Sequence, residues 1–345
     1  MTKDDPYYIS AVGALGEGSS NSLSKDTDLA LAIGTKLADF TTGSWANFEN
    51  PNFKLVSVNT ARYDTTKHLA TPVISDAKVG LQKISEALGD WKAPDDWYKR
   101  AIKEKNEWDA YVEKQSGPTN QEEPSYAHAV GAVYRNSDPS DIVVTAAGGL
   151  VGEVVQVWKP KQLNTFETEW GFSCMGYEIS GALGIKMAKP DQDVVVFVGD
   201  GSYLLNNTDI YSSVIYDQKL IIIVCDNGGH MVINRLQLAK GGKEYICNLR
   251  AARATNLKFV DFENHAKSMG ANAETVSSTS ELEAAYKRAK DSDKTYVITI
   301  KTHGYEWLEG TAFWESPTLQ DPITDNNKSA LEDFESGKSK QRKGV

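Results

Sequence analysis

The chain repeats one pattern: a short unbroken run of apolar residues rich in Val and Ile, then a stretch with helical spacing. The runs are DLALAIG (28–34), KLVSVN (54–59), DIVVTAAGG (141–149), DVVVFVGDG (193–201), KLIIIVCDN (219–227) and TYVITIK (295–301). Continuous rather than alternating apolarity marks strands covered on both faces, the condition of a parallel sheet. The spacing predicts helices over 76–88, 126–134, 177–188, 208–216, 262–269 and 280–289. Strand and helix alternating in this order build βαβ units, so the expected fold class is α/β.

The pattern breaks between Gly89 and Glu123, a charged segment with three Trp that ends in Gly, Pro and acidic residues. Four segments are expected. Residues 1–90 form an α/β unit with only two good strands, hence part of a domain, and residues 91–122 a linker with one exposed helix. Residues 123–320 form a full α/β domain, and residues 321–345 a tail whose basic run KSKQRK (338–343) is solvated.

Composition narrows the function. A net charge of −10 disfavours a nucleic-acid surface, which needs clustered Lys and Arg. No apolar run nears the ~20 residues of a membrane span. The start, MTKDDPYYIS, has neither the basic residues nor the apolar stretch of a secretory signal. Three cysteines without CxxC spacing suggest neither a disulfide framework nor a zinc site, and Cys225 reads as a small buried hydrophobe. A reducing, cytoplasmic setting is expected.

Two strand ends carry the chemistry. DVVVFVGDGSY closes on Gly199-Asp200-Gly201-Ser202, where glycines let backbone N–H groups approach a phosphate and the following helix start favours negative charge. Taken alone, this motif is equally a plain strand–turn–helix with a capping Asp. KLIIIVCDN closes on Asp226-Asn227-Gly228-Gly229, with Asn227 27 positions after Asp200, room for one helix and the next parallel strand. A carboxylate, an amide and a backbone carbonyl are all oxygen donors, a set that suits Mg2+ beside phosphates and equally accepts Ca2+.

GDGS followed by DN at this interval resembles the diphosphate-binding motif of thiamine diphosphate enzymes. The resemblance implies that Asp200, Asn227 and the carbonyl of Gly229 bind the metal, with Gly199, Gly201 and Ser202 at the diphosphate. TAAGGLV (145–151) resembles the remaining diphosphate loop, with Gly148 and Gly149 as contacts. GFSCMGYEISGALG (171–184) resembles the stretch that precedes GDG in the acetolactate synthase branch. There Met175 matches the wedge that bends the cofactor, and the Ser173 carbonyl matches the acceptor of its aminopyrimidine. The alternative reading of Met175 is a core residue.

ETEWGFSCMGYEISGALG, residues 34–59 and the ending that begins GTAFWESP resemble the trihydroxycyclohexane-1,2-dione hydrolases of myo-inositol breakdown. That resemblance covers nearly the whole chain. It implies opening of a small polyhydroxylated cyclic diketone to 5-deoxy-glucuronate, with water added and the C–C bond between the carbonyls broken. It also implies a parallel-sheet diphosphate-binding domain preceded by part of a Rossmann-like middle domain. The loop after Asn227, GGHMVINRLQ, departs from the family's usual opening; His230, Glu167, Glu169 and Glu178 stay open between site and surface. No pyrimidine-binding domain is read in the chain, so a partner is expected to supply it and the activating glutamate, in a homo- or hetero-oligomer. No catalytic side chain is assigned on this chain. The alternatives are another thiamine diphosphate carboligase or decarboxylase, a non-catalytic remnant, and a generic nucleotide-binding domain, the last lacking a GxGxxG fingerprint.

Overall fold

A computed structural model describes residues 2–169, 171–253 and 255–342. The chain divides into two compact units, Met1–Tyr8 with Ala110–Leu308 and Ile9–Asp109 with Glu309–Val345.

The second of these units holds a three-stranded parallel sheet, β1 (Leu29–Ile33), β2 (Lys54–Asn59) and β3 (Thr71–Ile74), in the order β1-β2-β3. β1 and β2 fall on the expected runs. β3 is four residues long with Pro72 inside it, an edge strand without a strong apolar signature. Ala32, Trp45, Phe48, Phe53 and Leu55 form the core of this unit. The segment expected as a linker is mostly one helix, Asp95–Gln115, with Ala101 and Val112 buried, so it is not wholly exposed. The segment expected as a tail also folds: helix Asp325–Ser339 starts from a capping box at Thr324 and buries Ala330 and Phe334. Of the basic run, Lys338 pairs with Glu315 at 2.8 Å and Arg342 lies 4.7 Å over the Phe53 ring. Lys343 lies outside the described residues.

The other unit holds six parallel strands: β4 (Ile142–Thr145), β5 (Phe166–Thr168), β6 (Val194–Gly199), β7 (Ile221–Asp226), β8 (Asn272–Val276) and β9 (Tyr296–Lys301). Their order is β5-β4-β6-β7-β9-β8. The four apolar runs make the four inner strands. β6 and β7 are buried along their whole length except at the last residue, as strands covered on both faces must be. β5 and β8, both at edges, are polar enough that no run announces them. After β4 the chain steps to β5 on one side, then crosses to β6 on the other. The order therefore reverses between β4 and β6, and open α/β sheets bind ligands at the carboxyl ends of strands flanking such a reversal. Among the described residues, no helix is long and apolar enough to cross a membrane.

Candidate cofactor and metal site

The ends of β4, β6 and β7 lie side by side, so the topology brings the three Gly-rich turns together. β4 runs into Ala147 and then the helix Gly148–Val157, with Gly148 at φ +81 and exposed. A Cβ on Gly149 would meet the Trp307 ring at 2.2 Å, so this helix start requires glycine for packing as well as for access. β6 ends at Gly199, which caps the helix Asp200–Leu205. The first N–H groups of a helix have no partner within it, and two helix starts therefore face the same strand ends.

Asp200 is 5% exposed and accepts a hydrogen bond from the Gly229 N–H at 2.7 Å. Burial and then the neighbouring Asp226 push its carboxyl up to about 7, against the N–H groups of Gly229 and Gly201. A Cβ on Gly201 would meet the His230 ring at 2.6 Å, so His230, open in the sequence, lies against the β6 turn.

Asn227 follows β7 and is buried. Its Nδ2 donates to the Tyr126 hydroxyl at 2.7 Å, while its Oδ1 is buried without a hydrogen-bond partner. Unpartnered buried amide oxygens are rare, and one in the turn whose Gly229 N–H donates to Asp200 fits an oxygen ligand of a hard cation. Gly228 and Gly229 take φ +82 and +138, and a Cβ on Gly229 would fall 2.4 Å from the Cys247 carbonyl oxygen. That close approach closes the turn: Gly229 bridges Asn248, the His230 N–H donates to the Cys247 carbonyl at 2.8 Å, and the Leu249 N–H to the Gly228 carbonyl at 3.0 Å. Among the described residues no three His, Cys, Asp or Glu side chains gather as a metal cage. The expected set has a single carboxylate, and the orphaned amide supports it where a carboxylate count does not.

Ser173 and Met175 lie in an exposed loop before the helix Tyr177–Ala188. Met175 is 38% exposed, so the core reading of it fails. Glu169 holds this loop, accepting from the N–H groups of Phe172 at 2.7 Å and Cys174 at 2.9 Å, which lower its pKa. Ser173 sits at φ +57, a conformation that needs such support in a residue other than glycine. Trp170 lies outside the described residues. Glu167 is exposed on the edge strand β5 and joins none of this.

The sequence reading left Glu178 open as helix surface; the structure buries it, at 1% exposure. Its carboxylate accepts from the Ser202 hydroxyl at 2.8 Å, the Gly176 N–H at 2.9 Å and the Ala147 N–H at 3.3 Å. Burial raises its pKa against those bonds. The Ser202 hydroxyl is thereby engaged inside the protein, and only its N–H remains for a diphosphate role. Tyr126, which no motif marked, and Glu153 were also missed. Glu153 is 3% exposed, accepts from the Leu308 N–H at 3.0 Å through Oε1, and leaves Oε2 without a hydrogen-bond partner. The only sequence signal for Glu153 and Glu178 is a lone carboxylate in a largely apolar helix.

Two family descriptions match the chain: thiamine pyrophosphate enzyme, C-terminal TPP binding domain, over residues 146–300, and thiamine pyrophosphate enzyme, central domain, over residues 1–84. The first begins directly after β4 and covers the ends of β6 and β7. Among curated proteins, the chain is similar to 3D-(3,5/4)-trihydroxycyclohexane-1,2-dione hydrolases. It is 31% identical to that of Lacticaseibacillus casei over 98% of the chain and 56% of the relative. It is 32% identical to that of Clostridium tetani over 88% and 53%. It is 31% identical to that of Bacillus subtilis over 88% and 52%. The chain thus spans about half the length of the curated relatives it matches.

Proposed function

We infer, from a chain that belongs to the thiamine pyrophosphate enzymes, that its strand ends hold the diphosphate of thiamine diphosphate through Mg2+. The observation that carries this reading is the buried, unpartnered Oδ1 of Asn227, in the same turn as the Gly229 N–H that donates to buried Asp200. Asp200, Asn227 and the Gly229 carbonyl are the metal ligands. N–H groups at Gly148, Gly149 and Ser202 meet the diphosphate, and Gly199 and Gly201 let the backbone approach it. Met175 and the Ser173 carbonyl face the rings. Bound there, thiamine diphosphate supplies the nucleophilic carbon and electron sink that cleavage of a C–C bond beside a carbonyl requires. The chain's own residues bind and orient: Tyr126 fixes the Asn227 amide, and burial keeps water from Asp200. No side chain here is given a proton-transfer role.

The substrate proposed is trihydroxycyclohexane-1,2-dione, opened by water to 5-deoxy-glucuronate in inositol degradation. The names of the relatives support it. A partner polypeptide carrying a pyrimidine-binding domain is proposed to complete the site and to bring the activating glutamate. Apolar side chains left to water on the site's own elements favour such a partner: Phe172 is 87% exposed and Leu205 63%. A cytoplasmic setting agrees with three free cysteines.

The test is turnover. The chain, combined with a pyrimidine-binding partner, thiamine diphosphate and Mg2+, is given the dione, and release of the open-chain acid is followed by NMR. Metal-dependent ring opening supports the reading. Unchanged dione, under conditions where pyruvate is decarboxylated or condensed, overturns the hydrolase assignment and leaves another thiamine diphosphate reaction.

A further inference from the structure

The Glu178 carboxylate ties together, by hydrogen bonds, three of the segments to which the cofactor and metal site is assigned. Ala147, whose N–H donates to Oε1, immediately precedes Gly148 and Gly149. Gly176, whose N–H donates to Oε2, immediately follows Met175. Ser202, whose hydroxyl donates to the carboxylate, follows Asp200 and Gly201. The Gly176 N–H also reaches Ser202 Oγ at 2.8 Å, which closes a small ring of bonds. Asn206 adds a second tie, donating from Nδ2 to Ser180 Oγ at 2.8 Å.

We propose that Glu178 is a positioning residue: its carboxylate sets the diphosphate loop, the ring-facing Met175 segment and the metal-bearing helix start at fixed places relative to one another before the cofactor binds. The proposal rests on the thiamine diphosphate reading above. These segments come from different strand ends and have no reason of their own to share a register. A carboxylate offers about four lone-pair sites, enough to serve all three donors at once, and an ion–dipole bond is stiffer than a neutral one. A site held to within a fraction of an ångström by a supporting layer binds better than one that must be assembled by the ligand. Gly176 allows the arrangement: it sits at φ +91, and a Cβ there would lie 2.7 Å from that of Asn206.

A buried glutamate that only stabilised the fold would lower the melting temperature and leave the folded protein's choice between ligands unchanged. The test therefore compares two ligands of the 345-residue chain by calorimetry with Mg2+: thiamine diphosphate, which touches all three segments, and inorganic diphosphate, which touches only the phosphate and metal parts. In Glu178→Ala the preference for thiamine diphosphate over inorganic diphosphate falls about tenfold or more, as the ring-facing segment loses its place. Glu178→Gln, which still accepts from Ser202, stays within about threefold of the parent. Should Glu178→Ala fail to fold, Ser202→Ala decides, since it removes one link and keeps the Ser202 N–H; a fall of about threefold is expected. A folded Glu178→Ala, or failing that a Ser202→Ala, with the parent's preference overturns the positioning role. A parent chain that binds neither ligand overturns the cofactor reading itself, and the proposal with it; the two failures are told apart by the parent alone.

Discussion

The Tyr126 hydroxyl takes the Nδ2 hydrogen bond of Asn227 at 2.7 Å, and this orients the amide so that Oδ1 is the atom left without a partner. Tyr126 is 4% exposed, and burial raises its pKa well above the ordinary tyrosine range, so the hydroxyl stays neutral. A residue 101 positions away in sequence thus decides which end of the amide is left without a partner.

Tyr126→Phe removes that orientation without emptying the space. The amide then has no reason to keep its oxygen turned to the metal. One net hydrogen bond, about 0.5–1.5 kcal/mol, corresponds to a roughly threefold to tenfold rise in the dissociation constant of Mg2+–thiamine diphosphate. Calorimetry on the folded variant measures it, and an unchanged constant would remove Tyr126 from the account.

The two glycines after Asn227 are not equivalent. At Gly228 the φ of +82 is strained for other residues, but the nearest atom to an added Cβ is Arg250 Nε at 3.9 Å. At Gly229 the φ is +138 and the Cys247 carbonyl oxygen would be 2.4 Å away. Gly228→Ala is expected to cost about 1 kcal/mol in stability and little affinity. Gly229→Ala breaks the bridge to Asn248, and both melting temperature and Mg2+-dependent binding drop. Equal effects of the two would show that backbone strain, not the close approach, dominates.

Burial pushes the Glu153 carboxyl up to about 7 from its ordinary 4.5, against the bond from the Leu308 N–H and the Arg235 charge. A carboxyl held protonated in the folded state favours folding fully below its unfolded pKa and loses that advantage as pH rises through the folded one. Stability should therefore fall between pH 4.5 and about 7 on this group's account, by about 3 kcal/mol. Glu153→Gln keeps an acceptor for Leu308 and carries no charge. Its melting temperature should match the parent's near pH 5 and exceed it at pH 8. A constant difference across that range would mean that Glu153 does not titrate there.

Much of the fold was legible because apolar continuity is a local property. The inner strands β4, β6, β7 and β9 each lie within an unbroken run, and the runs at β6 and β7 end in the residues of the candidate site. The edge strands β5 and β8 were not legible, since FET and NAETV are specified by pairing to a neighbour rather than by burial. The same distinction holds at the site. Asp200 and Asn227 stood out because they follow strand ends at a fixed spacing. Glu178 did not, because its donors Ala147 and Ser202 lie 31 and 24 positions away and no spacing in its own helix announces them. Met175 and its loop stood out only through resemblance, and it is the exposure of Met175 that removes the core reading.

The most direct test is a calorimetric titration of thiamine diphosphate into the 345-residue chain, with Mg2+ and with excess chelator, beside Asp200→Ala. The account predicts saturable binding that requires the metal and that Asp200→Ala abolishes while its melting temperature stays near or above the parent's, since the variant no longer buries a carboxyl raised to about 7. Binding of equal strength with and without Mg2+, or a variant that binds like the parent, would contradict the metal-held diphosphate on which the proposed function stands.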